Sequence, residues 1–368
     1  MVPEFKKSHA FTIGVELEFQ LVDRESLALV PLAPRILESL SDQWKDRIKK
    51  EFIQSMLEVN TGVCHTIDDV AQDLRVVTLH LEQKAHEQGA LLHPTSLHPF
   101  SRALDQQPTQ DPRYLEILED LRLVGQMLIT QGLHVHIGVP DGDTAIWIVD
   151  HIRAYLPLIL SLTASSPFFQ GIDTGFQSYR SKLFEQLPRS GIPASLGSWD
   201  EYVRLCNMLM EGGIISDVRD IWWDVRPHPY FGTIEVRIGD LPPTFKEILA
   251  ITALIHALVV YISRNRNLPP PPHRLIIANN KWQAARYGLN GTFVDLDVKT
   301  RLTQREAVTH LLARLEDTFL ELGSKKYTDV LKEVLTLGSG SYRQRTLKER
   351  GLTFQEIIKE TIEGFWNP

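Results

Sequence analysis

Four short stretches of this 368-residue chain alternate with the period of a β-strand and carry acids, histidines or an arginine on one face only. In Thr12–Gln20, Ile13, Val15, Leu17 and Phe19 fall on one side, and Glu16 and Glu18 on the other. His134 and His136 share a face of Leu133–Ile137, and Glu235 and Arg237 share a face of Thr233–Ile238. Gln54, Glu58 and Asn60 fall together in Gln54–Asn60. Successive side chains point to opposite faces of a strand, so the pattern gathers ionisable groups on one surface of a sheet. The wet face of an ordinary sheet mixes Thr, Lys, Ser and Glu. Glutamates, histidines and an arginine are instead the ingredients of a divalent-metal and phosphate site.

Each pair has a plain and a chemical reading. Glu16 and Glu18 stand roughly 7 Å apart at the backbone. They are either a solvated strand edge or two carboxylates whose repulsion a hard cation relieves. His134 and His136 are either hydrogen-bonded core histidines or a metal ligand and a phosphate donor, with Gly132 and Gly138 leaving room for a ligand to approach. Glu235 and Arg237 are either an in-strand ion pair or a metal ligand beside a guanidinium that meets the same phosphate. The stretch Asn279–Gly288 adds a basic cluster: Lys281 and Arg286 are candidates for phosphate, with Asn280 beside them and Trp282 packing on a base or on the core. Arg180, Arg226 and Gln54 are candidate substrate contacts; for the two arginines the plain reading is a loop packing anchor. Neither GxxxxGK[ST] nor GxGxxG occurs, which excludes a P-loop or Rossmann nucleotide site.

The rest of the chain fits a soluble α+β protein. There are 39 basic and 46 acidic residues, a net charge of −7, which argues against nucleic acid as the main partner. The two cysteines, Cys64 and Cys206, are far apart and make neither a disulfide framework nor a zinc-thiolate site. The longest apolar run, near 248–262, is broken by polar residues, and the first ten residues lack an apolar signal core, so a cytoplasmic protein with no membrane partner is expected. Strands are expected near 11–22, 50–59, 90–96, 131–139, 221–226 and 231–239. Helices are expected at 68–88, 112–129, 144–165, 200–210, 246–264, 304–322, 325–336 and 354–365, with a loop over 279–297. Strands and helices do not alternate regularly, which favours a largely antiparallel sheet. Pro269–Pro272 is a stiff connector to a mainly helical C-terminal part, read as belonging to one catalytic domain over 1–368.

The motifs GVELEFQLVD (14–23), GLHVHIGVP (132–140), GTIEVRIGD (232–240) and NKWQAARYGLNG (280–291) resemble those of the bacterial type-2 glutamate–cysteine ligases. These are also called YbdK-type carboxylate–amine ligases, within the glutamine synthetase-like superfamily. The resemblance runs in order from about residue 11 to the C-terminus. It implies a curved, mostly antiparallel sheet with helices packed on its convex side, and two or three Mg²⁺ (or Mn²⁺) ions and ATP on its concave face. By position it implies Glu16, Glu18, Glu58, His134 and Glu235 as metal ligands. It places His136 and Arg237 near the nucleotide phosphates, and Arg286 at a basic position near the site. Glu58 and Arg237 are the residues expected to act in catalysis. The implied reaction joins glutamate, or a similar carboxylate, to cysteine or another amine through an acyl phosphate, with weak glutamate–cysteine ligase activity. A homo-oligomer is expected by family analogy alone. The competing readings are an ammonia ligase or small-molecule kinase on the same fold, a metal-dependent hydrolase, and a non-catalytic nucleotide or amino-acid sensor.

Overall fold

In a computed structural model the described residues are Val2, 4–295 and 300–367. The main sheet has seven strands, β1 Ile13–Asp23, β2 Ile48–Lys50, β3 Met56–Asn60, β4 Ala90–His93, β5 Gly132–Gly138, β6 Val225–His228 and β7 Thr233–Asp240. Their order is β6-β7-β5-β1-β3-β2, and every pairing is antiparallel. Strand β4 extends the β5 edge of β1, since Gln20 pairs with both Met56 and His93.

The expected alternation holds across the sheet. Ile13, Val15, Leu17, Leu57, Val59, Val135, Ile137, Ile234 and Val236 are buried in one hydrophobic cluster. Val70, Leu74, Val77 and Leu81 from the helix Ile67–Glu87, and Ile248, Ile251 and Leu254 from the helix Phe245–Arg264, belong to the same cluster. One face is therefore sealed by helices, and burial of its branched side chains fixes the register: a one-residue slip would drive Glu16 and His134 into the core. The helix Phe245–Arg264 is long and apolar enough to cross a membrane by length and composition, but 89% of its apolar window is buried inside the protein.

The segment beyond the prolines returns to this core. Phe365 packs edge-on against Phe19, with ring centroids 5.7 Å apart, and Trp366 Nε1 donates to Glu82 at 2.9 Å. Thr353 and Glu356 form a capping box, and Ser198 and Thr244 cap their helices through the backbone N–H of Glu201 and Glu247.

Several boundaries differ from the sequence reading. The strand expected at 50–59 is two strands, because residues 52–54 leave the sheet to pair with 107–109: Gln54 N–H donates to Gln107 O and Thr109 N–H to Phe52 O. The helix expected at 144–165 is two, Gly142–Ile152 and Leu156–Thr163, bent by 66°, with Pro157 in the first turn of the second. The helix expected at 112–129 breaks at Arg122, whose φ is 50°. Most of the expected loop 279–297 is regular: the helix Arg274–Tyr287 leads to Thr292–Asp295, which pairs with Thr300–Thr303. Residues 296 and 297 lie outside the described ones.

Candidate active site

The polar face of the sheet floors a cleft of about 380 Å³. Glu16, Glu18, Glu58, His134, His136, Arg226, Glu235 and Arg237 all line it. Cross-strand register explains why: Glu16 pairs with His134, Glu18 with Glu58, His136 with Glu235, and Glu235 with Arg226. A bulge between Val236 and Gly239 follows Glu235 and falls at Arg237.

The acids form two groups, each with three ligand atoms within 4.8 Å of one another. The first is Glu16, His136 and Glu235; the second is Glu18, Glu51 and Glu58. In the first, Nδ1 of His136 is bound to Thr233 Oγ1 at 3.0 Å, and its Nε2 lies 3.2 Å from Glu16 Oε1 and 3.9 Å from Glu235 Oε1. In the second, Asn60 Nδ2 donates to Glu58 Oε1 at 2.6 Å, and Gly132 N–H to Glu18 Oε2 at 2.6 Å. His134 stands between the groups, with Nδ1 3.2 Å from Glu16 Oε2 and Nε2 3.9 Å from Glu18 Oε1. The family resemblance gives His134 to metal and His136 to phosphate; here His136 stands in one of the groups that could hold a metal ion and His134 between the two.

The electrostatics divide the floor. Burial would raise Glu235, but Arg226 (Nε 2.7 Å from Oε2) and Arg237, whose guanidinium also pairs with this carboxylate, hold it well below the usual carboxylate range. Burial likewise opposes the charge of Glu16, and His136 and His134 outweigh it. In the second group no lysine or arginine pairs with the acids among the described residues, and the hydrogen bonds from Asn60 and from the Phe52 N–H do not offset the rest: burial, then the charge of Glu16, pushes Glu58 up to about 8, and burial with Glu18 and Glu58 pushes Glu51 well above its ordinary value. Burial and Arg237 lower His134, keeping its imidazole neutral, whereas Glu235 and Glu16 overcome burial and raise His136. Nε2 of His134 is buried without a hydrogen-bond partner among the described residues, and Nε2 of His136 faces only the carboxylates of Glu16 and Glu235. Crowded carboxylates and two imidazole nitrogens turned toward them in one cleft fit hard divalent cations.

Glu51 escaped the sequence reading because it follows β2 outside any alternating pattern. Its place is set by a contact far along the chain, Thr109 Oγ1 donating to its carbonyl. His228, also in the cleft, stacks on Phe231 with centroids 4.2 Å apart.

Five expected site residues are not brought to the cleft. Gln54 precedes β3 and donates to Pro108 O at 2.9 Å. Asn280 is bound both ways to the backbone of Val294. Lys281 is buried against Asp224 (2.6 Å) and Glu185 (3.1 Å). Arg286 donates to Gly175 O and packs over Phe176 and Tyr287. Arg180 is buried behind the β7 bulge, donating to Ile238 O (3.3 Å) and Arg237 O (3.4 Å). It also fills the space over Gly132, where a Cβ would lie 2.4 Å from Nη2. His9 O and Thr12 Oγ1 fill the space over Gly138. These glycines thus admit protein, not ligand. Arg226 lines the cleft but is spent on Glu235 and on the carbonyls of Arg219 and Ile221.

The fold is shared with solved structures of low sequence identity. A bifunctional glutathione synthetase from Pasteurella multocida superposes with a TM-score of 0.73 at 16% identity over 96% of this chain, which spans about half (52%) of that protein. A glutamate–cysteine ligase from Francisella tularensis, solved with AMP, gives 0.72 at 14% identity over 100% of this chain and 91% of its own. The sequence profile of glutamate–cysteine ligase family 2 matches residues 12–367. A Gloeobacter violaceus protein provisionally named glutamate–cysteine ligase 2 is 36% identical over 99% of both chains, and a Thermobifida fusca protein of the same provisional name is 36% identical over 99% of this chain and 93% of its own. Fold and family together define a carboxylate–amine ligase with a glutamine synthetase-like α+β architecture. The chain belongs to glutamate–cysteine ligase family 2.

Proposed function

We propose that this chain is a cytoplasmic ATP-dependent ligase, acting as one catalytic unit, that joins a carboxylate to an amine through an acyl phosphate. The observation that carries this reading is the pair of three-ligand groups on one floor with Arg237 beside them. The Francisella tularensis relative in fold was solved with AMP, which supports a nucleotide as co-substrate.

Glu16, His136 and Glu235 would hold one Mg²⁺ or Mn²⁺, and Glu18, Glu51 and Glu58 another; such ions would supply positive charge to neutralise the triphosphate. The substrate carboxylate attacks the γ-phosphorus of ATP, ADP leaves, and the amine then displaces phosphate from the acyl carbon. Arg237 faces the transferring phosphoryl group and stabilises the charge that develops on it. Glu235 fixes that guanidinium, and Arg226 keeps Glu235 ionised. The apolar side of the cleft excludes water, which would otherwise hydrolyse the acyl phosphate. No protein nucleophile is required. Burial raises the thiols of Cys64 and Cys206 to about 11, so neither supplies a thiolate near neutral pH.

The test is phosphate release from ATP and Mg²⁺ with carboxylates and amines supplied singly and in pairs. Release that requires one of each, with an amide product, is expected. Release with neither would show a hydrolase, release with a carboxylate or guanidino compound alone would show a kinase, and no release with any pair would leave a sensor.

A further inference from the structure

The helix Pro112–Leu121 is the exception among the described helices of eight or more residues: none of its side chains is buried. Yet it carries an apolar stripe, Tyr114, Ile117, Leu118 and Leu121, at the spacing of one helix face. A stripe of this kind ordinarily closes on a core. Here Tyr114, Ile117 and Leu121 line the cleft together with Phe52, Met56 and Leu128, and only Leu121 also packs on a buried cluster. The helix is nonetheless fixed in place. Asp111 at its start pairs with Lys50 at 2.5 Å, Arg113 pairs with Asp220 at 2.9 Å, and Phe52 meets Tyr114 edge-on with centroids 5.5 Å apart. Three of the four stripe residues therefore line the site, while Leu118 lines a neighbouring hollow.

Building on the ligase reading, we propose that this apolar wall binds the side chain of the amine substrate, and that the preferred acceptor is an amine bearing a bulky apolar or aromatic group, larger than cysteine. Two further observations choose the amine over the other ligands. The wall stands beside Glu51 and Glu58, whose charges act on the Tyr114 hydroxyl. Glu18, Glu51 and Glu58 outnumber Lys49 at this end, and Lys50 and Arg113, which also line the cleft, are spent on Asp111 and Asp220, so carboxylate oxygens are there to accept from an ammonium group. Arg237, the guanidinium given to phosphate, belongs to the other end with Glu235 and Arg226. That end of the cleft has apolar surface of its own for a base, Trp222 and Phe184, which line it together with Arg237. A nucleotide so placed leaves the helix stripe uncovered, and a small acceptor such as cysteine would cover little of it.

The experiment uses the full chain and a graded series of amines: ammonia, cysteine, leucine and phenylalanine. Each is measured by calorimetric binding with Mg²⁺ and no ATP, and by phosphate release with ATP and glutamate. The expected result is binding and kcat/KM that rise with apolar size. In Ile117→Ala and Leu121→Ala the KM for the large amines should rise about tenfold or more, the KM for ATP should be unchanged, and Ile117→Leu should recover most of the loss. These side chains are half-buried, so the folded protein should survive truncation. Cysteine or ammonia as the best acceptor, or selectivity indifferent to both truncations, would overturn the proposal. A raised KM for ATP with amine selectivity intact would overturn it too, by placing the base on the stripe. If amines bind by size but no pair releases phosphate, the ligase reading fails while the wall stands; if phosphate release needs both substrates but ignores apolar size, the wall fails while the ligase stands.

Discussion

The floor of the cleft and its helical wall are made by opposite means. The floor is rigid: five antiparallel strands set each acid against a partner, and an apolar underside buried to nearly nothing fixes the register. Its charges are mutually compensated at the Arg237 end and uncompensated at the Glu51 end. The wall is a helix with no buried side chain, held by ion pairs at its start and by a few ring and aliphatic contacts. On the proposed reading, the chemistry of phosphoryl transfer sits on the sheet, and selectivity on a helix that can change without disturbing it. A site built this way can alter its acceptor while keeping its reaction.

That contrast can be broken at several points. The largest effect is expected at Arg237. Arg237→Ala should lower kcat by about 10³-fold or more, while leaving circular dichroism and the melting temperature near those of the parent, because Arg226 still compensates Glu235. Near-parental turnover would remove Arg237 from the reaction. Glu235→Ala should act first on stability: it leaves two guanidiniums unpaired in a buried site, at a cost of about 3–5 kcal/mol in chemical denaturation. Glu51→Gln should lose one class of Mn²⁺ site in a paramagnetic titration and keep the class held by Glu16, His136 and Glu235; loss of all binding would mean that the two groups are one.

The uncompensated end also sets a pH dependence. Glu58 lies at about 8 in the metal-free folded chain, against an ordinary 4.5. Between those values the folded state binds the proton and the unfolded chain does not, so this group makes stability fall as pH rises from about 4.5 to about 8. A cation competes with the proton, so stabilisation by Mn²⁺ should grow over the same interval and flatten in Glu58→Gln. Melting curves with and without Mn²⁺ across that range decide it; a metal effect independent of pH would contradict the assignment. The smallest effect is expected at Gln54, outside the cleft. Gln54→Ala should cost about 0.5–1.5 kcal/mol of stability for its bond to Pro108 and leave both KM values as they were.

The floor was legible in the sequence because a strand has a two-residue period. Glu16 and Glu18, His134 and His136, and Glu235 and Arg237 declare their shared face by spacing alone. Long-range placement was not legible. Glu51 sits one residue past β2, and its carbonyl is held by Thr109 across a stretch with no pattern. Lys281 and Arg286 carried the right charge for phosphate, but their helix aims them at Asp224, Glu185 and Gly175. For the helix at 112–121, periodicity shows which residues share a face and is silent on what that face looks at.

The most direct measurement of the reaction follows oxygen. The carboxylate substrate is labelled with ¹⁸O in its reacting group, and the phosphate released during amide formation is analysed by mass spectrometry. In an acyl-phosphate mechanism the carboxylate oxygen that attacks phosphorus leaves with it, so one label per turnover should appear in phosphate. Amide formed with unlabelled phosphate would contradict the mechanism and the role given to Arg237.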